Sequence, residues 1–467
     1  MRGMISASRV PLFDEANQAL RTVCVVKLAS GLTVDDAVKR FSALGAQFEV
    51  IAEGDGEQTA AVINWGGRRS SIPVTISEEE ASEWLLEELS REYAQLIAPP
   101  HHDVASLAKA LRNPRPLNRG ADSYAIWYLE TNEPMVLKVG SPDVIELETS
   151  FFGQATTVSP QLFPRIWSSG DFAGRAWYLM EAGKPDSGEE LVFSRRDRLG
   201  LDPDWIETLV STLVPLAELY RGTVVERTCK VARYHYTERI LRLLKRDDFR
   251  QTAAETASIR EIGATLRKPL RVNGMALPAA EELVEHASRS GHGSVPRFST
   301  MIHGDLHLKN MVATLRGRTF ILLDPRLQWD CEQVDRFAYG DPVYDMATLL
   351  HSVGGMAPIL RAIETDTVDR IVTIEETSRE VQVNFSTPLL DLIRTTLTNF
   401  PKVCIQLLPA ETMGPSFPFR LYAGAANATF GWLKYKDAVK NEHAWWAIYA
   451  LASIYLDAAS GRGVANA

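Results

Sequence analysis

The sequence predicts an α+β protein that runs from a small α/β domain through a strand-rich segment into a large helical segment. Three observations carry this expectation. Residues 1–100 alternate short apolar runs with amphipathic helical stretches. Residues 101–182 hold strand-like runs around one helix, and residues 183–467 are mostly helical in pattern. At 467 residues the chain is long enough for two or three domains with separate cores.

In the first zone Thr22–Leu28 reads as a strand, and Thr33 caps an amphipathic helix reaching Leu44. Phe48–Ile51, Ala60–Ile63 and Ser71–Ile76 read as further strands. Ser77 opens a long helix, Glu78–Ile97, with Glu80 at the capping-box position. Ala98-Pro-Pro-His-His ends that helix as a linker. In the second zone Ser123–Glu130 and Pro134–Gly140 read as a hairpin around Thr131-Asn-Glu-Pro. A helix over Val144–Thr156 follows, then strands at Arg165–Ser168 and Ala176–Met180. In the third zone only Phe320–Asp324 is clearly strand-like. A helical insert is expected over Asp202–Ala287, and no repeat is evident.

The composition is that of a globular protein, 45% hydrophobic and 23% charged. A net charge of −9 argues against a large nucleic-acid footprint. Cys24, Cys229, Cys331 and Cys404 are far apart and lack metal or redox spacing, so reduced thiols in a cytoplasmic protein are expected. The N-terminal stretch has no apolar core of a secretion signal. No window reads as a membrane span, and the richest, Ala444–Leu456, reads as a buried helix.

The chemistry concentrates in Met301-Ile-His-Gly-Asp-Leu-His-Leu-Lys-Asn310, followed by Phe320-Ile-Leu-Leu-Asp324. A carboxylate at Asp305, a carboxamide at Asn310 and a second carboxylate at Asp324 suit phosphoryl transfer. The first can hold a hydroxyl while the other two converge on magnesium. A rival reading takes His303, Asp305 and His307, at alternate positions on one extended face, as zinc or iron ligands. It lacks a second His/Asp cluster, since His286, His292, His351 and His443 are isolated, and it leaves Asn310 and Asp324 idle.

His-Gly-Asp-Leu-His-Leu-Lys-Asn followed by Phe-Ile-Leu-Leu-Asp-Pro-Arg resembles the catalytic loop and metal strand of the aminoglycoside phosphotransferase/choline kinase family, over roughly residues 105–460. The resemblance implies a bilobal protein-kinase-like fold, with a small β-rich ATP lobe over residues 101–182 and a large helical lobe over 183–467. It implies ATP or GTP with Mg²⁺ as cofactors, Asp305 as catalytic base, Asn310 and Asp324 as metal ligands, and His303 as a brace. Asp345, in Gly340-Asp-Pro-Val-Tyr-Asp-Met-Ala347, would tie the catalytic loop to the next helix. Lys138, among apolar neighbours, would hold the α- and β-phosphates, with Glu148 rather than Glu146 as its partner because Glu148 shares the apolar helix face. Gly120 and Ser123 would cover the phosphates. Met180 would flank the purine, and the backbone of Glu181 and Ala182 would pair with it.

The acceptor is expected to be a small-molecule hydroxyl, on a sugar, amino sugar or aminoglycoside. His307, Tyr234, Tyr236, Arg239 and Arg326 are candidates to touch it. Pro325–Tyr339 is longer than the family's usual connection, and its Asp330, Glu332, Asp335 and Arg336 are either substrate-facing or solvated. Residues 22–95 resemble the histidine-containing phosphocarrier domain of the sugar phosphotransferase system. Thr33 stands where the phosphorylated histidine would be and the middle helix is missing, so a degenerate domain for docking, homodimer contacts or covering the ATP lobe is implied. The alternative to an active kinase is a nucleotide-binding pseudokinase; Lys138, Asp305, Asn310 and Asp324 together argue against it.

Overall fold

The computed structural model describes residues 51–53, 60–65, 68–73, 103–117, 123–172, 175–184, 187–194, 199–257, 259, 264, 267–290, 295–314, 319–329, 337–376 and 380–461. The strand at Thr22–Leu28, the helices at Thr33–Leu44 and Glu78–Ile97, Gly120 and the charged residues of 330–336 lie outside them. The chain divides into two compact units: residues 1–152 with 164–182, and residues 153–163 with 183–467.

In the first unit, β1 (Ile51–Glu53), β2 (Ala60–Trp65) and β3 (Arg68–Pro73) form an antiparallel sheet in that order. Helix α1 (Val104–Arg112) is capped by the Asp103 carboxylate, which accepts from the N–H groups of Ala105 and Ser106. An antiparallel sheet follows, made of β4 (Arg115–Pro116), β5 (Ser123–Leu129), β6 (Met135–Gly140), β7 (Ile166–Phe172) and β8 (Arg175–Glu181). Its order, β4-β5-β6-β8-β7, puts β6 in the centre with every residue buried. A central strand covered on both faces explains why Met-Val-Leu-Lys-Val-Gly is apolar throughout except at Lys138. Helix α2 (Pro142–Val158), of which residues 142–152 belong to this unit, buries Ile145, Glu148, Phe151 and Phe152 there.

The second unit is mainly helical. Helices α3 (Val214–Thr223), α4 (Pro342–His351), α5 (Thr387–Leu407), α6 (Phe417–Phe430) and α7 (Glu442–Ala459) supply much of its core. Helix α7 contains the Ala444–Leu456 run and stacks Trp445 on Tyr449, with ring centroids 5.1 Å apart. Gly424 brings α6 against α4: a Cβ there would lie 2.6 Å from Cβ of Ala347. Among the described residues one helical stretch, Pro342–Glu364, matches a membrane span by length and composition, a segment the hydropathy reading passed over; 89% of its apolar window is buried inside the protein.

The helical unit carries more strand than the pattern predicts. Met275–Leu277, Leu270–Val272, Val381–Phe385 and Val372–Glu376 form a four-stranded sheet in that order. Its first hairpin turns on Asn273 and Gly274, both at positive φ. Asn-Gly between apolar residues is a strong local hairpin signal, and the helical expectation for Asp202–Ala287 overlooked it.

The start of α4 is fixed by a buried ion pair. The Asp341 carboxylate caps the helix through the Val343 N–H and accepts from Arg420 at 2.5 Å and from the Tyr236 hydroxyl at 2.6 Å. Arg420→Ala leaves Asp341 buried without its cation, so the unfolding free energy should fall by about 3–5 kcal/mol. Urea unfolding measures this, and a loss below about 1 kcal/mol would show that the pair is dispensable.

Candidate active site

Lys138 and Glu148 form a buried pair within the first unit. Lys138 lies in the centre of β6, opposite Tyr178 of β8. Its Nζ is 2.7 Å from Oε1 and 2.9 Å from Oε2 of Glu148. The two residues are 2% and 4% exposed, so the ammonium and carboxylate neutralise each other away from water. Glu146, on the opposite side of α2, is exposed. Tyr178 adds a contact that helix periodicity cannot reveal: its hydroxyl donates to Glu148 Oε2 at 2.7 Å. Cross-strand neighbours share a sheet face, so the Lys138–Tyr178 register puts both beside Glu148.

Ser123 is buried at the start of β5, opposite Gly140. Met180 is buried in β8. The Glu181 N–H donates to Arg165 O at 3.1 Å, and the Ala182 N–H donates to Pro134 O at 3.1 Å. The expectation that both backbones pair with a purine is corrected on the donor side: these two N–H groups are already bonded within the protein.

The catalytic-loop residues lie in the second unit, in the segment that precedes α4 in the chain. Here β9 (Gly183–Lys184), β10 (Phe298–Met301), β11 (Met311–Thr314) and β12 (Phe320–Leu322) frame the motif. β10 leads into the loop, and β11 pairs antiparallel with both β9 and β12. The loop is fastened from below by Asp345 in the first turn of α4. Its carboxylate accepts from the N–H groups of His303 (2.8 Å) and Gly304 (2.7 Å) and from the Tyr220 hydroxyl (2.7 Å). Burial raises Asp345 to about 6 in spite of these donors.

Gly304 has φ +80°, and a Cβ there would meet the Arg326 carbonyl oxygen at 2.1 Å, so the turn requires glycine. The Arg326 N–H donates to His303 O at 2.8 Å. His303 is fully buried. Its Nδ1 accepts from the Asp305 N–H at 3.3 Å, which assigns the proton to Nε2 for donation to Leu323 O at 2.8 Å. Both ring nitrogens are therefore committed to the loop.

Asp305 is half-buried, with His307 Nε2 3.9 Å from its Oδ2. The Asn310 amide donates through Nδ2 to Asp305 O at 3.0 Å. That contact leaves its Oδ1 as the acceptor end. Asn310 O accepts from the Leu323 N–H at 2.9 Å, tying the loop to the residue before Asp324. Asp324 has φ +58°, a left-handed conformation uncommon for aspartate. A carboxamide oxygen and a carboxylate are hard donors of the kind Mg²⁺ prefers, so Asn310 and Asp324 fit that ion chemically. Among the described residues, no group of three or more His, Cys, Asp or Glu is placed to hold a metal.

Lys309 pairs with Glu364 at 2.5 Å, on the exposed side of the loop. The Leu308 N–H donates to the Ser352 hydroxyl at 3.1 Å, a support with no sequence signal.

The acceptor candidates separate. Tyr236 is buried and bonded to Asp341, and Tyr234 is buried with the Arg242 guanidinium over its ring. The expected basic, aromatic face is corrected here: these tyrosines turn into the core. Arg239 is half-buried and donates to the Tyr344 hydroxyl at 3.1 Å. Arg326 lies with its guanidinium 5.0 Å from the Trp329 ring centroid.

Tyr178→Phe removes a donor from a buried carboxylate and should lower thermal stability by about 1.5–3 kcal/mol. An unchanged melting curve would mean that Glu148 does not need the hydroxyl.

Proton linkage gives a second test. Burial lowers His303 to about 4 and His351 to about 3, from an ordinary value of 6.5. The unfolded chain takes up these protons first, so stability falls as pH drops below about 6.5. Asp345 acts oppositely: raised to about 6, it is protonated first in the folded state and offsets part of the loss between about pH 6 and 4. His351→Gln should flatten the acid slope of unfolding free energy by up to about 1.4 kcal/mol per pH unit. A slope identical to that of the parent protein in urea unfolding would overturn the assignment of a buried neutral His351.

The description "Phosphotransferase enzyme family" belongs to the family model that matches residues 113–365, more than half of the chain. No curated protein matches the chain. Among solved structures, a fructosamine-3-kinase candidate from Haemophilus somnus is 11% identical with a TM-score of 0.37, covering 74% of this chain and 95% of its own. Aminoglycoside phosphotransferase APH(4)-Ia is 11% identical with a TM-score of 0.35, covering 76% and 95%. Aminoglycoside phosphotransferase APH(3'')-Id from Streptomyces rimosus, in complex with ADP and streptomycin, is 13% identical with a TM-score of 0.31, covering 68% and 92%. Membership rests on the family model and not on these structural likenesses. The chain belongs to the phosphotransferase enzyme family.

Proposed function

We propose that the protein transfers the γ-phosphoryl group of ATP to a hydroxyl of a small molecule, with Mg²⁺. The carrying observation is the constrained loop: Asp305 at its apex, Asn310 oriented through its own amide, and Asp324 in a left-handed turn. Asp305 accepts or orients the hydroxyl proton, so the oxygen attacks as a better nucleophile. Asn310 and Asp324 are the residues that would hold Mg²⁺, which neutralises charge on the phosphates when bound. The Lys138 ammonium, kept charged by Glu148, would bind the α- and β-phosphates. His303 does not titrate near neutrality and positions the loop without taking a proton from substrate.

Asp305→Ala should lower turnover by about 10²–10⁴ while leaving nucleotide binding intact. The measurements are a coupled ADP-release assay and the thermal shift produced by ATP with Mg²⁺. An unimpaired rate removes Asp305 from the mechanism. Loss of the nucleotide shift would instead mean that the substitution damages the fold.

A further inference from the structure

We propose that Ser352 is a positioning residue for the metal site: it caps, from a distant helix, the short turn that presents Asn310, and so sets how tightly Mg²⁺ is held. This rests on the kinase reading above. All the residues involved belong to the helical unit. Asn310 ends a single 3₁₀ turn, Leu308–Asn310, that starts after His307. The first N–H groups of a helical turn find no partner inside it, and the side chain at the preceding position usually supplies one. His307 occupies that position and makes no capping bond. Leu308 is fully buried, so its N–H cannot turn to water. Ser352, 44 residues further along, supplies the missing acceptor: its hydroxyl oxygen accepts from the Leu308 N–H at 3.1 Å, and the residue is 6% exposed.

The turn is held at its other points by the loop itself. Leu308 O accepts from the Met311 N–H, and a Cβ on Gly188 would collide with that same carbonyl oxygen. The Asn310 N–H donates to His307 O at 2.9 Å, and its Nδ2 donates to Asp305 O at 3.0 Å. Lys309, inside the turn, reaches Glu364, but both side chains are exposed, and a solvated ion pair holds a backbone weakly. The buried hydroxyl of Ser352 is the stronger of these two fastenings to the helices outside the loop.

The place of Ser352 is itself built. It follows the last residue of α4, and the helical path kinks two residues later at Gly354-Gly355, where Gly355 has φ +136°, a conformation open to glycine. A kink frees carbonyl groups from the helical ladder. The Tyr455 hydroxyl of α7 answers them, donating to Gly354 O at 3.0 Å with Leu350 O at 3.3 Å sharing the proton. A Cβ on Gly354 would collide with that hydroxyl. Groups that hold a metal ligand in place are worth as much to affinity as the orientation they preserve. Without the Ser352 acceptor the Leu308 peptide loses its fixed end, and the Asn310 carboxamide loses its fixed direction.

Electron paramagnetic resonance of Mn²⁺, an ion that shares the preference for oxygen ligands, measures this in titrations of the full chain with ADP. Ser352→Ala should weaken Mn²⁺ binding about tenfold and leave ADP affinity in EDTA unchanged. Ser352→Thr keeps the hydroxyl and should stay near the parent protein. Asn310→Ala should also weaken Mn²⁺, and adding Ser352→Ala to it should change nothing further, because the serine acts through that amide. Should Ser352→Ala fail to fold, Tyr455→Phe loosens the kink beside the serine and should weaken Mn²⁺ about threefold. The proposal is overturned by Mn²⁺ affinity unmoved in the serine variant (or in the tyrosine variant that replaces it), by a threonine variant as weak as the alanine one, by an equal loss of metal-free ADP binding, or by losses that add in the double variant. Nucleotide-dependent Mn²⁺ binding that Asn310→Ala weakens and Ser352→Ala does not removes the serine's role alone. A parent protein that binds no Mn²⁺ with ADP, or an Asn310→Ala variant that binds it normally, overturns the metal site of the kinase reading and this proposal with it.

Discussion

The organisation of the catalytic loop depends on one buried carboxylate. Asp345 has no exposed surface, and burying a charged group is costly unless donors surround it. Two of its three donors are backbone N–H groups of the loop, at His303 and Gly304. Satisfying Asp345 therefore sets the path of the chain just before Asp305. The positive φ of Gly304 and the bond from His303 to Leu323 follow from that path, and they carry the constraint across to Asp324. Asp341, four positions before Asp345, holds the helix that presents it, through Arg420 and Tyr236. The loop and the helix start are thus two layers of one buried polar network, in which each member needs its neighbours.

The parts of this arrangement that could be read from sequence are those whose partners lie close along the chain. Asp305, Asn310 and Asp324 fall within one loop and the strand after it. Glu148 was distinguishable from Glu146 because helical period sorts them onto different faces. Tyr178 was not legible, because its approach to Glu148 depends on the register between β6 and β8, which the apolar runs do not specify. The Asp341–Arg420 pair joins residues distant in sequence, and neither side shows a local sign of the other. Tyr236 was misassigned for a related reason: a hydroxyl seeking a buried carboxylate and one facing solvent look alike in a helical pattern. The Asn273–Gly274 hairpin is different, since its local signal was present and the surrounding helical composition obscured it.

Net charge gives little guide to the site. The chain is acidic overall, at −9, yet the Arg326 guanidinium lies over Trp329 and Arg239 donates to the Tyr344 hydroxyl. Electrostatic influence on a bound molecule decays over about 10 Å at ordinary ionic strength. The neighbours of Asp305 therefore matter more than the sum over the surface.

The Lys138–Glu148–Tyr178 cluster is assembled from residues of β6, α2 and β8 that all belong to the first compact unit. The Arg239 and Arg326 environment is assembled from segments of the second. No side chain is shared between the two clusters. Substitutions around Arg239 and Arg326 can accumulate in the helical unit without touching the lysine's ion pair. Divergence of these helical-unit side chains and retention of the buried lysine pair are thereby separable evolutionary events, each selectable without erasing the other.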